Sequence, residues 1–171
     1  NGDVSIASSV DSTSSTTGGL TITGGVGIGS SVYVSGNITA NRTLTITQTT
    51  EKFNNFTSNI SSGGTVTFNS ITAGNILYVN TGTVSGNWTL DVTNLSLTTG
   101  FSSALVVSIF QGATAYMPTV LKIDGVTQTV IWQGGGGVPT GNANKYDFVN
   151  YSILCTASST YVVFGQLVSF G

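Results

Sequence analysis

The chain has 171 residues, 39% of them hydrophobic and only 6% charged, with 23 glycines, no histidine and a formal net charge of −2. Its basic residues (Arg42, Lys52, Lys122, Lys145) are scattered and leave no electrostatic footprint for a phosphate backbone, so nucleic acid is not an expected partner. No apolar run approaches the ~20 residues of a membrane helix, so membrane insertion is not expected, and a polar share carried by Ser, Thr and Asn favours β structure over helix.

Residues 1–17, NGDVSIASSVDSTSSTT, are small and polar and read as an extended lead-in. The chain opens on Asn1 with no signal-peptide pattern, and a processed or excised chain is expected, with a further N-terminal region ahead of it holding an anchor.

From 18 to 50 the sequence repeats. Leu20, Val26, Val32, Ile38 and Leu44 recur every six residues, and Ile22, Ile28, Val34, Ala40 and Ile46 keep that interval two positions later. Positions i and i+2 of a strand share a face, so each hexad supplies a very short strand with two apolar residues on one side, and the intervening Gly, Ser, Thr and Asn turn the chain. One such unit cannot bury its own apolar face and must stack on neighbours.

Two architectures satisfy this: a hexapeptide β-helix wound by one chain, or a stem in which three identical chains wrap round a common axis. About five hexads make fewer than two turns of a three-sided coil, too few to stand alone, so the intertwined three-chain β-stem is expected. Its core would be Leu20, Ile22, Val26, Ile28, Val32, Val34, Ile38, Leu44 and Ile46. Each would contribute roughly 1.5–3 kcal/mol on burial, but only under the cover of neighbouring chains. Gly24, Gly25, Gly27, Gly29 and Gly36 are expected to serve close backbone approach or left-handed turns.

From about residue 51 Phe53, Phe56 and Phe68 appear and the hexad gives way to longer strand candidates: TVTFNSI, NILYVN, WTLDVTNL, ALVVSIF, TVLKID, QTVIWQ, FVNYSILCTA and TYVVFGQLVSF. Separated by Gly, Asn, Asp or Pro clusters and lacking helical periodicity, they predict an antiparallel β-sandwich, jelly-roll-like, as a head domain over 51–171. Trp88, Leu90 and Val92 alternating with Thr89, Asp91 and Thr93 mark a strand with one covered face, and Asp124-Gly125 marks a hairpin. Cys155, alone in YSILCTA, reads as a small buried apolar side chain.

Without histidine the commonest general base and metal ligand are missing. Glu51, Asp91, Asp124 and Asp147 could be paired by folding for glycosidase chemistry, but Asp124 is explained by its hairpin and Asp91 by the solvated face of its strand. GGVGIGSSV lacks the strand, helix and acidic residue of a dinucleotide loop. No catalytic residue, cofactor or metal ligand is assigned, and an enzyme is not expected.

The excursion from Trp132 to Phe148, within IWQGGGGVPTGNANKYDF, joins two of the most hydrophobic strands. Long loops on a sandwich are often functional. Trp132, Asn142, Asn144, Lys145, Tyr146 and Asp147 offer an aromatic platform with polar groups, the chemistry of sugar recognition, while for Trp132 read by itself packing over Pro139 to seal the sandwich is the favoured reading over binding.

Ser12 to Ala40, STSSTTGGLTITGGVGIGSSVYVSGNITA, resembles a segment recurrent in virion structural proteins and tail fibres of tailed phages, especially cyanophages, and of some large algal viruses. Thr127 to Gly171 is similar to a C-terminal module of such fibre proteins, through Trp132, Pro139, Gly141, Asp147 and the closing Phe170-Gly171. The resemblance covers somewhat under half of the chain. It implies a homotrimeric fibre on the tail or capsid surface of a virus particle, joined to other virion proteins through its N-terminal region, with a C-terminal head that attaches to the host surface and binds glycans at its loops. A purely structural capsid or baseplate fibre or decoration protein, whose head serves trimerisation, is the second reading. A polysaccharide depolymerase is the third, and it would need a carboxylate pair in a cleft.

Overall fold

The computed structural model describes residues 20, 22–34, 38, 40, 43–46, 50–80 and 84–171; the lead-in over 1–17 and Gly36 lie outside them. The chain divides into two compact units, 1–47 and 48–171.

In the first unit the described residues form no strand. The apolar rows face outward, from 44% exposed at Val34 to 66% at Ile38. The short strands expected here are not present among the described residues; a strand needs a hydrogen-bonding neighbour. Among the described residues no coil of one chain closes over these rows. A Cβ added at Gly24, Gly25, Gly27 or Gly29 would meet no atom within 4 Å, and none of the four has a positive φ, so inside a single chain neither close approach nor a left-handed turn requires them.

The second unit is all-β, with no helix among the described residues. Its strands are β1 (Phe53–Phe56), β2 (Thr65–Asn69), β3 (Ile76–Val79), β4 (Trp88–Thr93), β5 (Ser102–Phe110), β6 (Pro118–Ile123), β7 (Val126–Gln128), β8 (Val130–Trp132), β9 (Tyr146–Ala157) and β10 (Thr160–Phe170). They build a six-stranded sheet in the order β1-β3-β5-β9-β10-β8 and a four-stranded sheet in the order β2-β4-β6-β7.

The sandwich is mixed, which corrects the expectation of an antiparallel, jelly-roll-like one. β1-β3, β3-β5, β2-β4, β4-β6 and β8-β10 are all parallel pairs. The first six strands alternate between the sheets, so the chain winds: Phe53 lies beside Ile76 and Ile76 beside Val106 in one sheet, Thr65 beside Thr89 and Thr89 beside Val120 in the other. Parallel neighbours need a long crossover, and here the crossover is a strand of the opposite sheet. Only β5-β9, β9-β10 and β6-β7 are antiparallel.

Strand alternation fills the space between the sheets. Val66, Phe68, Trp88, Leu90, Val92, Leu121 and Ile123 point inward from the smaller sheet and meet Leu77, Val79, Leu105, Val107, Ile109, Val149, Tyr151, Ile153 and Val163 of the larger. Each such side chain, fully buried, contributes roughly 1.5–3 kcal/mol. Asp124 and Gly125, at φ 49° and 80°, make the two-residue β6-β7 turn, with Ile123 paired to Val126. Positive φ at both central residues is the turn whose twist matches the flanking strands.

Candidate functional site

The excursion between β8 and β9 is fastened by one buried side chain. Asp147, the second residue of β9, is fully buried. Its carboxyl accepts hydrogen bonds from the Asn142 backbone N–H (2.8 Å), Asn142 Nδ2 (2.9 Å) and Gln111 Nε2 (3.1 Å). Gln111 also accepts from the Tyr116 N–H (3.0 Å) and donates to the Tyr116 carbonyl (3.1 Å). The Gln111 N–H donates to the Lys145 carbonyl and the Asn144 N–H to the Gly112 carbonyl, both at 2.9 Å. Burying so many polar atoms is tolerable because they satisfy one another. The result ties the turn after β5 to the loop before β9.

Trp132 is elsewhere. Its indole is buried, edge-on to Tyr151 with ring centroids 5.9 Å apart, and it covers Gly165, where a Cβ would come within 2.7 Å of the ring. In the ladder it stands opposite Gly165, which pairs with Tyr151, four residues along β9 from Asp147 and so roughly 13 Å away at ~3.3 Å per residue.

The six loop residues singled out from the sequence therefore do not form one platform. Asn144, Lys145 and Tyr146 are exposed, Asn142 is half-buried and occupied by Asp147, and Trp132 and Asp147 are interior. Tyr146 stacks on Phe110 at 4.8 Å and shares a hydrogen bond with Tyr78. That bond first, and burial second, hold the Tyr78 phenol above its ordinary value.

Two depressions offer ligand chemistry the sequence does not reveal. A groove of about 340 Å³ beside β8 is lined by Gln133, Asn150, Ser152, Gln166, Phe164 and Ile131. A cleft of about 820 Å³ carries the hydroxyls of Thr99, Ser102, Ser103, Ser152 and Thr156 beside Phe101, which is exposed at its edge. Amides and hydroxyls next to an aromatic ring suit an uncharged polyol. In the sequence these residues are merely the outward half of an alternation.

The carboxylates serve the backbone. Asp124 Oδ1 accepts from the Asn94 N–H (2.6 Å) and Asp91 Oδ1 from the Gly125 N–H (3.1 Å), at the hairpin end of the smaller sheet. Asp147 belongs to the larger sheet, and Glu51 is exposed before β1. Among the described residues no three of Asp, Glu and Cys gather as metal ligands would. Cys155 is buried, its single S–H within reach of the carbonyls of Leu97 (3.3 Å) and Ala157 (3.2 Å). Tyr161 donates to the Leu95 carbonyl, and its phenol is pushed up by burial first, then by Cys155 and Asp124.

Comparison with protein-family models, curated proteins and solved structures finds no match to this chain.

Proposed function

We propose that the chain is a virion fibre protein in which three copies wind together through residues 18–50 and present their β-sandwich heads, residues 51–171, to the host surface, where glycans are held noncovalently. The observation that carries the reading is the pair of apolar rows at six-residue intervals, uncovered in a single chain, on a protein whose other unit has a complete core of its own. Water-exposed aliphatic rows are sustained only where neighbours cover them. The uncharged groove and cleft support a neutral sugar as the ligand class, with Asn144 and Lys145 as accessible loop contacts.

Sedimentation of the full chain tests the stem: the expected mass is about three times 17.5 kDa, and a stable monomer removes the reading. Binding to a panel of bacterial surface polysaccharides, cyanobacterial ones included, tests attachment. Retention by at least one is expected, with its viscosity unchanged; falling viscosity would favour a depolymerase. The purely structural alternative, in which the head serves trimerisation, is favoured by one observation of its own: the aromatic outer face of the larger sheet.

A further inference from the structure

Where β9 begins, the outward positions of the six-stranded sheet form an apolar patch, set apart from the polar positions Asn150, Ser152 and Gln166 that line the groove beside β8. In register across the strands run Phe53, Ile76 and Val106, then Tyr78, Ser108, Phe148 and Val168, then Phe110, Tyr146 and Phe170. The rings are held against one another, Phe53 on Tyr78 at 6.1 Å, Phe110 on Tyr146 at 4.8 Å and Phe148 on Phe170 at 4.8 Å, around a groove of about 330 Å³.

We infer that this face is where the heads of neighbouring copies meet, an inference that rests on the trimeric reading above. The area is of the right order. Phe53, Phe110, Tyr146 and Phe170 are 51%, 55%, 41% and 49% exposed. At ~200 Å² per ring they alone present on the order of 400 Å², half of the ~800 Å² that one partner gives to a standard interface, before the flanking Ile, Val and Tyr positions are counted.

The chemistry selects another copy of this chain. No outward strand position of this sheet carries a charge; the exposed Lys52 and Lys145 lie just ahead of β1 and β9, at the rim, so copies meet across the patch without burying an ion. Nor is it a sugar platform: the paired rings lie at 82°, 45° and 57° to each other, not in one plane on which a polysaccharide could stack.

The test is hydroxyl-radical labelling of the full chain, alongside its sedimentation, for the wild type and for F110K/F170K. In the wild type Tyr78, Tyr146 and Phe148 should be labelled at least ~fivefold less than in the variant, because an interface core excludes water. Ile71, 75% exposed and off this face, should be labelled equally in both. Both substituted rings are half-exposed in the single chain, so the fold is expected to persist. Should the variant unfold, the wild type still decides the matter: Tyr78, Tyr146 and Phe148 must be protected beyond what their burial within one chain accounts for.

A wild-type trimer whose aromatic face labels freely overturns this inference and leaves the fibre reading standing. So does a folded variant that keeps the protection. A monomeric wild type overturns both.

Discussion

The two sheets of the 48–171 unit follow the same alternation but spend their outward positions differently. The four-stranded sheet turns Thr65, Thr67, Thr89, Asp91, Thr93 and Lys122 outward, a surface that water covers at no cost. The six-stranded sheet, besides the polar Asn150, Ser152 and Gln166, turns out a cluster of rings: Phe53, Tyr78, Phe110, Tyr146, Phe148 and Phe170. Both inner faces belong to one core, so folding needs the inward residues of each sheet and is indifferent to much of what points away. An outward face made of rings is thus information about surroundings rather than about the fold.

The sharpest way to break this comparison is to truncate one ring and one hydroxyl at equivalent outward positions. Phe148→Ala should behave as a core mutation of the assembled chain and cost about 3 kcal/mol, with a denaturation midpoint that depends on protein concentration. Thr89→Ala, on the polar face, should stay within about 0.5 kcal/mol at any concentration. Urea unfolding at two protein concentrations checks both, and equal effects would erase the distinction between the faces.

A smaller effect separates the two sides of the larger sheet. Gly165→Ala pushes a methyl into the Trp132 indole on the inner face, and overpacking of this kind costs about 1–3 kcal/mol. The loss should be independent of concentration, because the contact lies inside one chain. On the polar-faced sheet, Gly125→Ala meets no neighbour but keeps a φ of 80°, so about 1 kcal/mol of backbone strain is expected from the same unfolding measurement.

What the sequence shows of this fold is whatever is local. The alternation from Trp88 to Thr93 and the Asp124-Gly125 turn each depend on adjacent residues, and both stand in the structure as the pattern requires. The parallel winding does not depend on adjacent residues. Phe53 meets Ile76 through a full circuit of both sheets, and no turn residue records that register. For the same reason QTVIWQ reads as one strand, whereas the chain changes sheets at Thr129, β7 joining β6 and β8 joining β10.

The loop shows the same limit in its chemistry. Asn144, Lys145 and Tyr146 are polar or amphipathic residues in a connection, and they are accessible. Trp132 and Asp147 carry the side chains a binding site would use, yet each is interior because of a residue far along the chain: Gly165 leaves room for the indole, and Gln111 reaches across to the carboxyl. Composition alone does not reveal such partners. The aromatic outer face is equally hidden, since Phe148 and Tyr151 look alike until the register assigns one outward and the other inward.

That last pair supplies the finest test. Tyr151 is the inward ring, and its hydroxyl has no hydrogen-bond partner among the described residues. A buried unpaired hydroxyl costs more than it returns, so Tyr151→Phe should be neutral or stabilising by up to ~1 kcal/mol, the opposite sign to Phe148→Ala. Burial also raises the Tyr151 phenol above its ordinary value of 10.0. Above about pH 10 the unfolded chain loses this proton before the folded one does, so the folded state binds more protons and stability falls as the pH climbs. Below pH 10 the phenol is protonated in both states and the contribution is constant. Tyr151→Phe removes the linkage, and its stability should decline less steeply with alkalinity than the wild type's, by up to about 1.4 kcal/mol per pH unit. Urea midpoints measured from pH 9 to 11.5 would show parallel curves if the ring were solvated like those on the outer face.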